Sequence, residues 1–146
     1  MPKYSDRSQI NLIECHPDLQ RLFREVIKHW DNQIIDGRRS IEQQKINVSK
    51  GVSKTMNSKH LAQEDGKSWA VDSMPFPYDW DKIQRGLDAL KRADPTMQIA
   101  EVYAYIGFVK GIAAMMGIDI RQGADWNGNN QFDDHTFIDL PHTEKV

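Results

Sequence analysis

The sequence predicts an α+β fold in which helices flank a small antiparallel sheet within a single compact domain. Three observations support this prediction. Apolar residues recur at helical spacing in several long segments, short β-type runs lie between and after them, and the 146 residues contain no internal repeat or domain linker. We therefore treat residues 1–146 as one domain.

The helical segments are recognised by their apolar stripes and by their ends. His16 and Pro17 are typical of a helix start, and the apolar stripe that follows them ends at Trp30. Ser40 is a candidate N-cap for the next helix. The most apolar segment is a predicted core helix that ends near Gly117. Helices are expected over residues 17–30, 39–48, 80–90 and 97–116.

Short apolar runs predict strands over residues 33–36, 69–72, 118–120 and 137–140. The first 15 residues are mixed in character, and we expect an extended lead-in there. Residues 49–68 are too polar for regular structure throughout, and loops this long in compact domains are usually functional or mobile. A second polar loop, rich in Asp, Asn and Gly, covers residues 123–136.

Composition excludes several classes of protein. Nineteen Lys and Arg residues against 21 Asp and Glu residues give a net charge of −2. A dedicated nucleic-acid binder has an excess of basic residues, so this class of protein is excluded. No apolar run approaches the ~18 residues that span a membrane. The N-terminus has neither the apolar core nor the cleavage site of a signal peptide. We expect a monomer that is made in the cytoplasm and does not insert into membranes.

The only cysteine is Cys15, so any zinc site must use histidines and carboxylates. His60, Asp72 and His142 lie at or near the ends of separate segments, and such a set can form a three-ligand zinc site with one position open, as catalytic zinc sites have. A buried Asp72 would need a partner or a cation. The alternative is that these are ordinary hydrogen-bonded polar residues. His135, which follows two aspartates, competes for the ligand role.

Two groups of motifs resemble a known family of zinc peptidases. Ser58-Lys59-His60, Gly66 and Ala70-Val71-Asp72, followed later by Asp139-Leu140-Pro141-His142 and Glu144, resemble the zinc signatures of the D-Ala-D-Ala dipeptidases and carboxypeptidases and of the phage L-alanyl-D-glutamate peptidases, which act as endolysins. Residues 37–43 and 118–127 resemble the endolysin branch in particular. The resemblance covers residues 15–146.

This sequence departs from the family pattern at two points. His60 and Asp72 are twelve positions apart, further than in the compact family motif, so residues around Glu64 must loop out if both ligands face one metal. Thr143 stands where the family usually has an aromatic residue after the last histidine.

The resemblance implies a role for each matched residue. His60, Asp72 and His142 would hold Zn²⁺. Asp139 would be the general base for the attacking water and then the acid for the leaving amine. Arg39 would bind the scissile carbonyl oxygen or a substrate carboxylate. Ser58 would hydrogen-bond the substrate or groups around the ligands.

The implied function is zinc-dependent hydrolysis of the L-alanyl-D-glutamate bond in the stem peptide of bacterial peptidoglycan, as a phage endolysin that lyses the host. Two alternatives stay open: a D-Ala-D-Ala carboxypeptidase with the same catalytic residues, and a wall-binding module without catalysis. An endolysin without an export signal would reach the wall after another protein opens the membrane.

The loop over residues 125–133 has the alternating oxygen-bearing side chains of a calcium loop. However, Asn130 stands where such a loop needs glycine, and Thr136 stands where it needs its final glutamate. We therefore favour a solvated turn over a Ca²⁺ site.

Overall fold

The computed structural model describes residues 1–91 and 97–146, and in this part of the chain helices surround a four-stranded antiparallel sheet. The strand order is β1-β2-β4-β3. The elements are α1 Asp6–Ile13, α2 Pro17–His29, β1 Asn32–Asp36, α3 Ile41–Ser49, β2 Ala70–Pro75, α4 Trp80–Lys91, α5 Met97–Met115, β3 Ile120–Gln122 and β4 His142–Lys145. The predicted α+β class is confirmed.

The register of β2 separates the core from the site. Val71 is fully buried in the main apolar cluster with α2 and α5. Because side chains alternate along a strand, the next residue, Asp72, points to the opposite face of the sheet. Asp72 pairs with His142 of β4 and with Asp36 of β1. Directly opposed residues of antiparallel strands share a face, so the three polar side chains gather there.

The helices covering the other face form the core. Helices α2 and α5 contribute Phe23, Val26, Tyr105 and Val109, which are fully or almost fully buried. The Tyr105 hydroxyl contacts the Ser73 hydroxyl of β2 at 3.0 Å, which anchors the centre of α5 to the sheet. A rigid layer therefore lies beneath the polar face.

The helix ends follow the sequence signals closely. The Ser40 side chain accepts a hydrogen bond from the Gln43 backbone at the start of α3, and Pro17 begins α2 after the His16 cap. Gly117 follows α5 with a φ of 66°, a conformation that glycine adopts without strain. The predicted helices over these segments are confirmed.

The expectation of an extended lead-in over residues 1–15 is wrong, because α1 occupies Asp6–Ile13. Ser5 caps this helix by accepting from the Ser8 backbone, and Leu12 is its buried apolar residue. One buried apolar side chain in eight residues makes too thin a stripe to reveal a helix by periodicity.

Two strand predictions are also corrected. Residues 137–140 form no strand, and β4 instead begins at His142. The Asp139 backbone donates to Gly123 and accepts from His142, so this stretch bends before the ladder starts. The strand expected over residues 118–120 lies at Ile120–Gln122, shifted toward its partner β4. In both cases tertiary pairing, rather than local apolar content, sets the strand limits.

Within the described residues, no helix combines the length and the apolar character needed to cross a membrane.

Candidate metal centre

Three side chains from separate parts of the chain converge at the polar face of the sheet. The Nε2 atom of His60 lies 2.9 Å from Oδ1 of Asp72 and 3.3 Å from Nδ1 of His142. The His142 Nδ1 atom lies 3.4 Å from Oδ1 of Asp72. Both histidines are buried and Asp72 is half-buried. One potential ligand atom from each residue thus lies within 4.8 Å of the other two.

The other ring nitrogen of each histidine faces a hydrogen-bond acceptor. Nδ1 of His60 lies 2.7 Å from the Gly37 carbonyl oxygen, and Nε2 of His142 lies 2.9 Å from Oε2 of Glu144. Carbonyl and carboxylate oxygens only accept, so each neutral ring donates there. His60 Nε2 and His142 Nδ1 then face the cluster and can bind a metal through a lone pair once they carry no proton, and metal-binding histidines are typically held in this way.

The charges in the cluster balance one another. Burial opposes ionisation of Asp72, but the neighbouring His60 and His142 outweigh it and hold the pKa of the carboxyl well below its usual range. Burial also disfavours the charged form of His142, yet its bonds to Asp72 and Glu144 raise its pKa to about 9. A proton on the His142 imidazole therefore compensates the carboxylates, and a divalent cation could take its place.

The donor set fits a catalytic metal site. Two imidazole nitrogens and one carboxylate oxygen suit zinc, and three protein ligands leave one coordination position open. The twelve-residue spacing between His60 and Asp72 is accommodated as expected: the backbone N–H of Gln63 bonds to Lys67, and Gly66 turns the chain with a φ of 75°. The extra residues form this turn, away from the ligand atoms.

Asp139 lines the same cavity as the cluster. Burial raises the pKa of its carboxyl, and the nearby negative charge of Asp72 raises it further. A carboxylate with a raised pKa is better able to accept and return a proton near neutral pH.

Two glycines allow the backbone to pass close to the site. A Cβ atom at Gly123 would lie 2.2 Å from the Asp139 carbonyl oxygen, and one at Gly37 would lie 2.2 Å from the Asn11 carbonyl oxygen. Both contacts are far inside van der Waals distance, and both involve backbone atoms that cannot move freely. Any side chain at Gly123 would therefore displace Asp139.

Arg39 is held rigidly at the edge of the cavity. Its Nε and Nη2 atoms donate to Oδ2 of Asp36, and Nη1 donates to Oε1 of Gln44 at 2.7 Å. Nη2 lies 3.8 Å from Oδ2 of Asp72. The neighbouring Arg38 pairs with Glu14 instead, so the two arginines point apart.

Ser58 and His135 have different surroundings. Ser58 lines the cavity, and its hydroxyl accepts from the His60 backbone at 3.2 Å, which shapes the turn carrying the ligand. His135 lies outside the cluster, with Nε2 3.0 Å from Oδ1 of Asp134 and 3.9 Å from Oδ1 of Asp125. It is therefore not brought to the ligand atoms.

The cavity above the cluster measures about 470 Å³. It is open to solvent, and its walls come from the segment before β2, the loop before β4 and the sheet itself. Besides the cluster, it is lined by Arg39, Lys54, Trp126, Phe137 and Asp139. Its size suits a short peptide segment.

The sequence analysis gave no role to three residues that build this site. Asp36 and Gln44 hold Arg39, and Glu144 holds His142. Glu144 had a usable signal, because it lies two residues after His142 and strand alternation puts both on one face. Gln44 had none, since the motif match over residues 37–43 ends at the adjacent Gln43.

Comparisons with known proteins identify the family of this chain. A sequence model of the family described as phage L-alanyl-D-glutamate peptidase matches residues 1–146. The chain is 25% identical over 140 residues to the L-alanyl-D-glutamate peptidase of Escherichia phage T5, covering 90% of this chain and 87% of the relative. The crystal structure of the Serratia marcescens L-Ala D-Glu endopeptidase ChiX shares its fold, with a TM-score of 0.63, 24% identity and coverage of 99% of this chain and 90% of that one. The match over the whole chain shows that the protein belongs to the phage L-alanyl-D-glutamate peptidase family, a family of peptidoglycan hydrolases.

Proposed function

We propose that this protein hydrolyses the L-alanyl-D-glutamate bond of the peptidoglycan stem peptide with a zinc ion held by His60, Asp72 and His142. The observation that carries the proposal is the convergence of three ligand atoms within 4.8 Å, with the remaining imidazole nitrogens fixed by acceptors. A bound zinc ion would supply Lewis acidity to the attacking water and to the scissile carbonyl.

Asp139 acts as the general base and then as the general acid. It accepts the proton of the attacking water and returns it to the nitrogen of the leaving D-glutamyl residue. Its raised pKa supports this role, because the carboxyl is half-buried and shares the cavity with Asp72. Gly123 keeps the backbone of Asp139 close to the site.

Arg39 stabilises the negative charge that develops on the carbonyl oxygen. A guanidinium has five N–H donors, and the bonds to Asp36 and Gln44 engage three of them. The other two can serve a substrate oxygen without reorganising the side chain, which is the condition for effective electrostatic stabilisation. Ser58 supports the backbone turn at His60 and lines the path of the substrate.

The site of action is the bacterial cell wall. We propose that the protein is a monomer made in the host cytoplasm and that it reaches peptidoglycan after the membrane is opened.

Metal content and products together test the proposal. Protein purified without added metal is analysed for bound zinc, and purified peptidoglycan digested with it is analysed for new termini. We expect about one zinc per chain and new N-terminal D-glutamate. Released D-alanine would indicate a D-Ala-D-Ala carboxypeptidase instead, and wall binding without any new terminus would indicate a non-catalytic module. The variant Asp139→Asn serves as the digestion control.

A further inference from the structure

Lys54 lines the cavity that contains the ligand cluster. It belongs to the irregular segment between α3 and β2, and its Nζ atom lies 5.2 Å from the centroid of the Phe137 ring. No Asp or Glu of the described residues lies within ion-pair distance of this ammonium group. None of the roles proposed above for the site residues involves Lys54.

A row of aromatic rings connects Lys54 to the ligand cluster. The Trp126 ring lies 5.3 Å from the His142 ring, and the Phe137 ring stacks on Trp126 at 6.2 Å. Lys54 caps the far end of this row. Lys54, these two rings and the cluster line one cavity of about 470 Å³, so a peptide that fills this cavity contacts both the cluster and the ammonium group.

Hydrogen bonds to helix α3 fix the backbone on both sides of Lys54. The fully buried Gln44 amide donates to the Ser53 hydroxyl at 2.9 Å and to the Thr55 carbonyl oxygen at 2.7 Å. The backbone N–H of Ser53 also bonds to Asn47 of α3. The same Gln44 amide accepts from Arg39, so one buried side chain sets the positions of both the guanidinium and the lysine-bearing segment.

The charges of the cavity favour an anionic ligand at this end. Asp72, Asp139 and Glu144 lie at or next to the ligand cluster and repel a substrate carboxylate there. Arg39 is assigned to the scissile carbonyl oxygen, Arg121 is paired with Glu144, and Lys59 lies over the Trp69 ring. Lys54 is the cavity cation at the end of the aromatic row, where it can attract an acidic group of the peptide.

We infer that Lys54 forms a subsite for the free carboxylate of the D-glutamyl residue next to the cleaved bond. A D-glutamyl residue within a chain uses one carboxyl group in the following amide and leaves the other ionised. The apolar row contacts the peptide, and the ammonium group pairs with this carboxylate. This inference rests on the proposed function and names its specificity-determining residue.

The test compares two synthetic stem peptides, one with D-glutamate and one with D-isoglutamine, in which a neutral amide replaces the free carboxylate. We expect the wild-type protein to have a KM about 10-fold lower for the D-glutamate peptide, the usual scale of a charge-assisted contact. Lys54→Met should abolish this preference by raising the KM for the D-glutamate peptide alone, while Lys54→Arg should retain it. The preference should also weaken as salt is added.

Lys59→Met is the matched control. Lys59 lines the same cavity, but its Nζ atom lies 5.0 Å from the Trp69 ring, away from the aromatic row. This variant removes the same charge and should leave the ratio of the two KM values unchanged. A wild-type ratio near one, or equal effects of Lys54→Met on both peptides, would overturn the subsite. Failure to cleave either peptide would instead overturn the proposed function, and the subsite with it.

Discussion

Two regions of the molecule gather carboxylates and a histidine, and only one of them has the geometry of a metal site. At the sheet, His60, Asp72 and His142 bring ligand atoms together, and the Arg39 guanidinium lies 3.8 Å from Oδ2 of Asp72, beyond hydrogen-bond distance. In the loop over residues 123–136, the Asp125 carboxylate is bonded to the Lys110 ammonium group at 3.1 Å and to two backbone N–H groups.

The difference lies in what compensates the negative charge. In the loop, the protein supplies its own cation and its own donors, so Asp125 is satisfied without a metal. At the sheet, each histidine turns one nitrogen outward to an acceptor and the other inward to the cluster. Acidic composition is therefore a weak indicator of a metal site, whereas converging lone pairs are a strong one.

Alanine substitution of one side chain in each region should give the largest difference in zinc content and activity. His60→Ala, Asp72→Ala or His142→Ala should lose bound zinc and all measurable hydrolysis, because two ligands cannot retain the ion against a chelator. His135→Ala should keep both. Zinc content by mass spectrometry and peptidoglycan turnover on the same preparations check this. Loss of zinc in His135→Ala with retention in His142→Ala would reverse the assignment.

Asp139→Asn separates catalysis from metal binding within the cluster region. The amide has nearly the same shape and Asp139 is not one of the ligands, so zinc content should stay at the wild-type level. Hydrolysis should fall by about 10²–10⁴, the usual contribution of a positioned acid and base. Full activity at full zinc occupancy would show that Asp139 takes no part in the mechanism. Loss of zinc would show that Asp139 instead supports the metal ligands.

Glu144→Gln tests the carboxylate that holds His142. The amide can still accept from Nε2 but carries no charge, so zinc affinity should fall by about 10–100-fold. Competition with a chromogenic chelator measures this change. Asp134→Asn, next to His135 in the loop, is the matched control and should leave zinc affinity unaltered.

Acid should weaken zinc binding at the sheet. The pKa of His142 is raised to about 9 without metal, so a proton occupies this imidazole at neutral pH and must leave before the ring can bind an ion. The apparent affinity for zinc should rise about tenfold per pH unit as the pH increases toward this pKa. Above this pKa the affinity should level off. Chelator competition at pH 6, 7 and 8 measures the slope. A flat profile would contradict the proton–metal exchange.

Calcium should have the smallest effect, because Lys110 already neutralises Asp125. At about 1 mM calcium, we expect the free energy of unfolding to change by less than about 0.5 kcal/mol, which corresponds to a Kd in the millimolar range or weaker. Thermal unfolding with and without calcium checks this. Lys110→Met frees the carboxylate and should increase the response. Micromolar binding by the wild-type protein would show that the loop is a calcium site after all.

The sequence by itself determined the helices and the polar character of the site. The apolar stripes of α2 and α5, the Ser40 cap and the Gly117 end are local signals, readable because they depend on neighbours within one or two turns. The motifs around His60, Asp72 and His142 also identified the residues that meet at the sheet. By contrast, α1 carried too thin an apolar stripe to be recognised.

Only the tertiary structure decided how these parts are fitted together. The start of β4 at His142 depends on its pairing with β2, and a strand register is set by partners distant in the chain. The choice of Gln44 over Gln43 as the support of Arg39, and the position of Lys54 over Phe137, depend on how the long segment before β2 closes over the cavity. Local sequence carries residue types and periodicity, but which distant side chain a polar group meets is settled by packing.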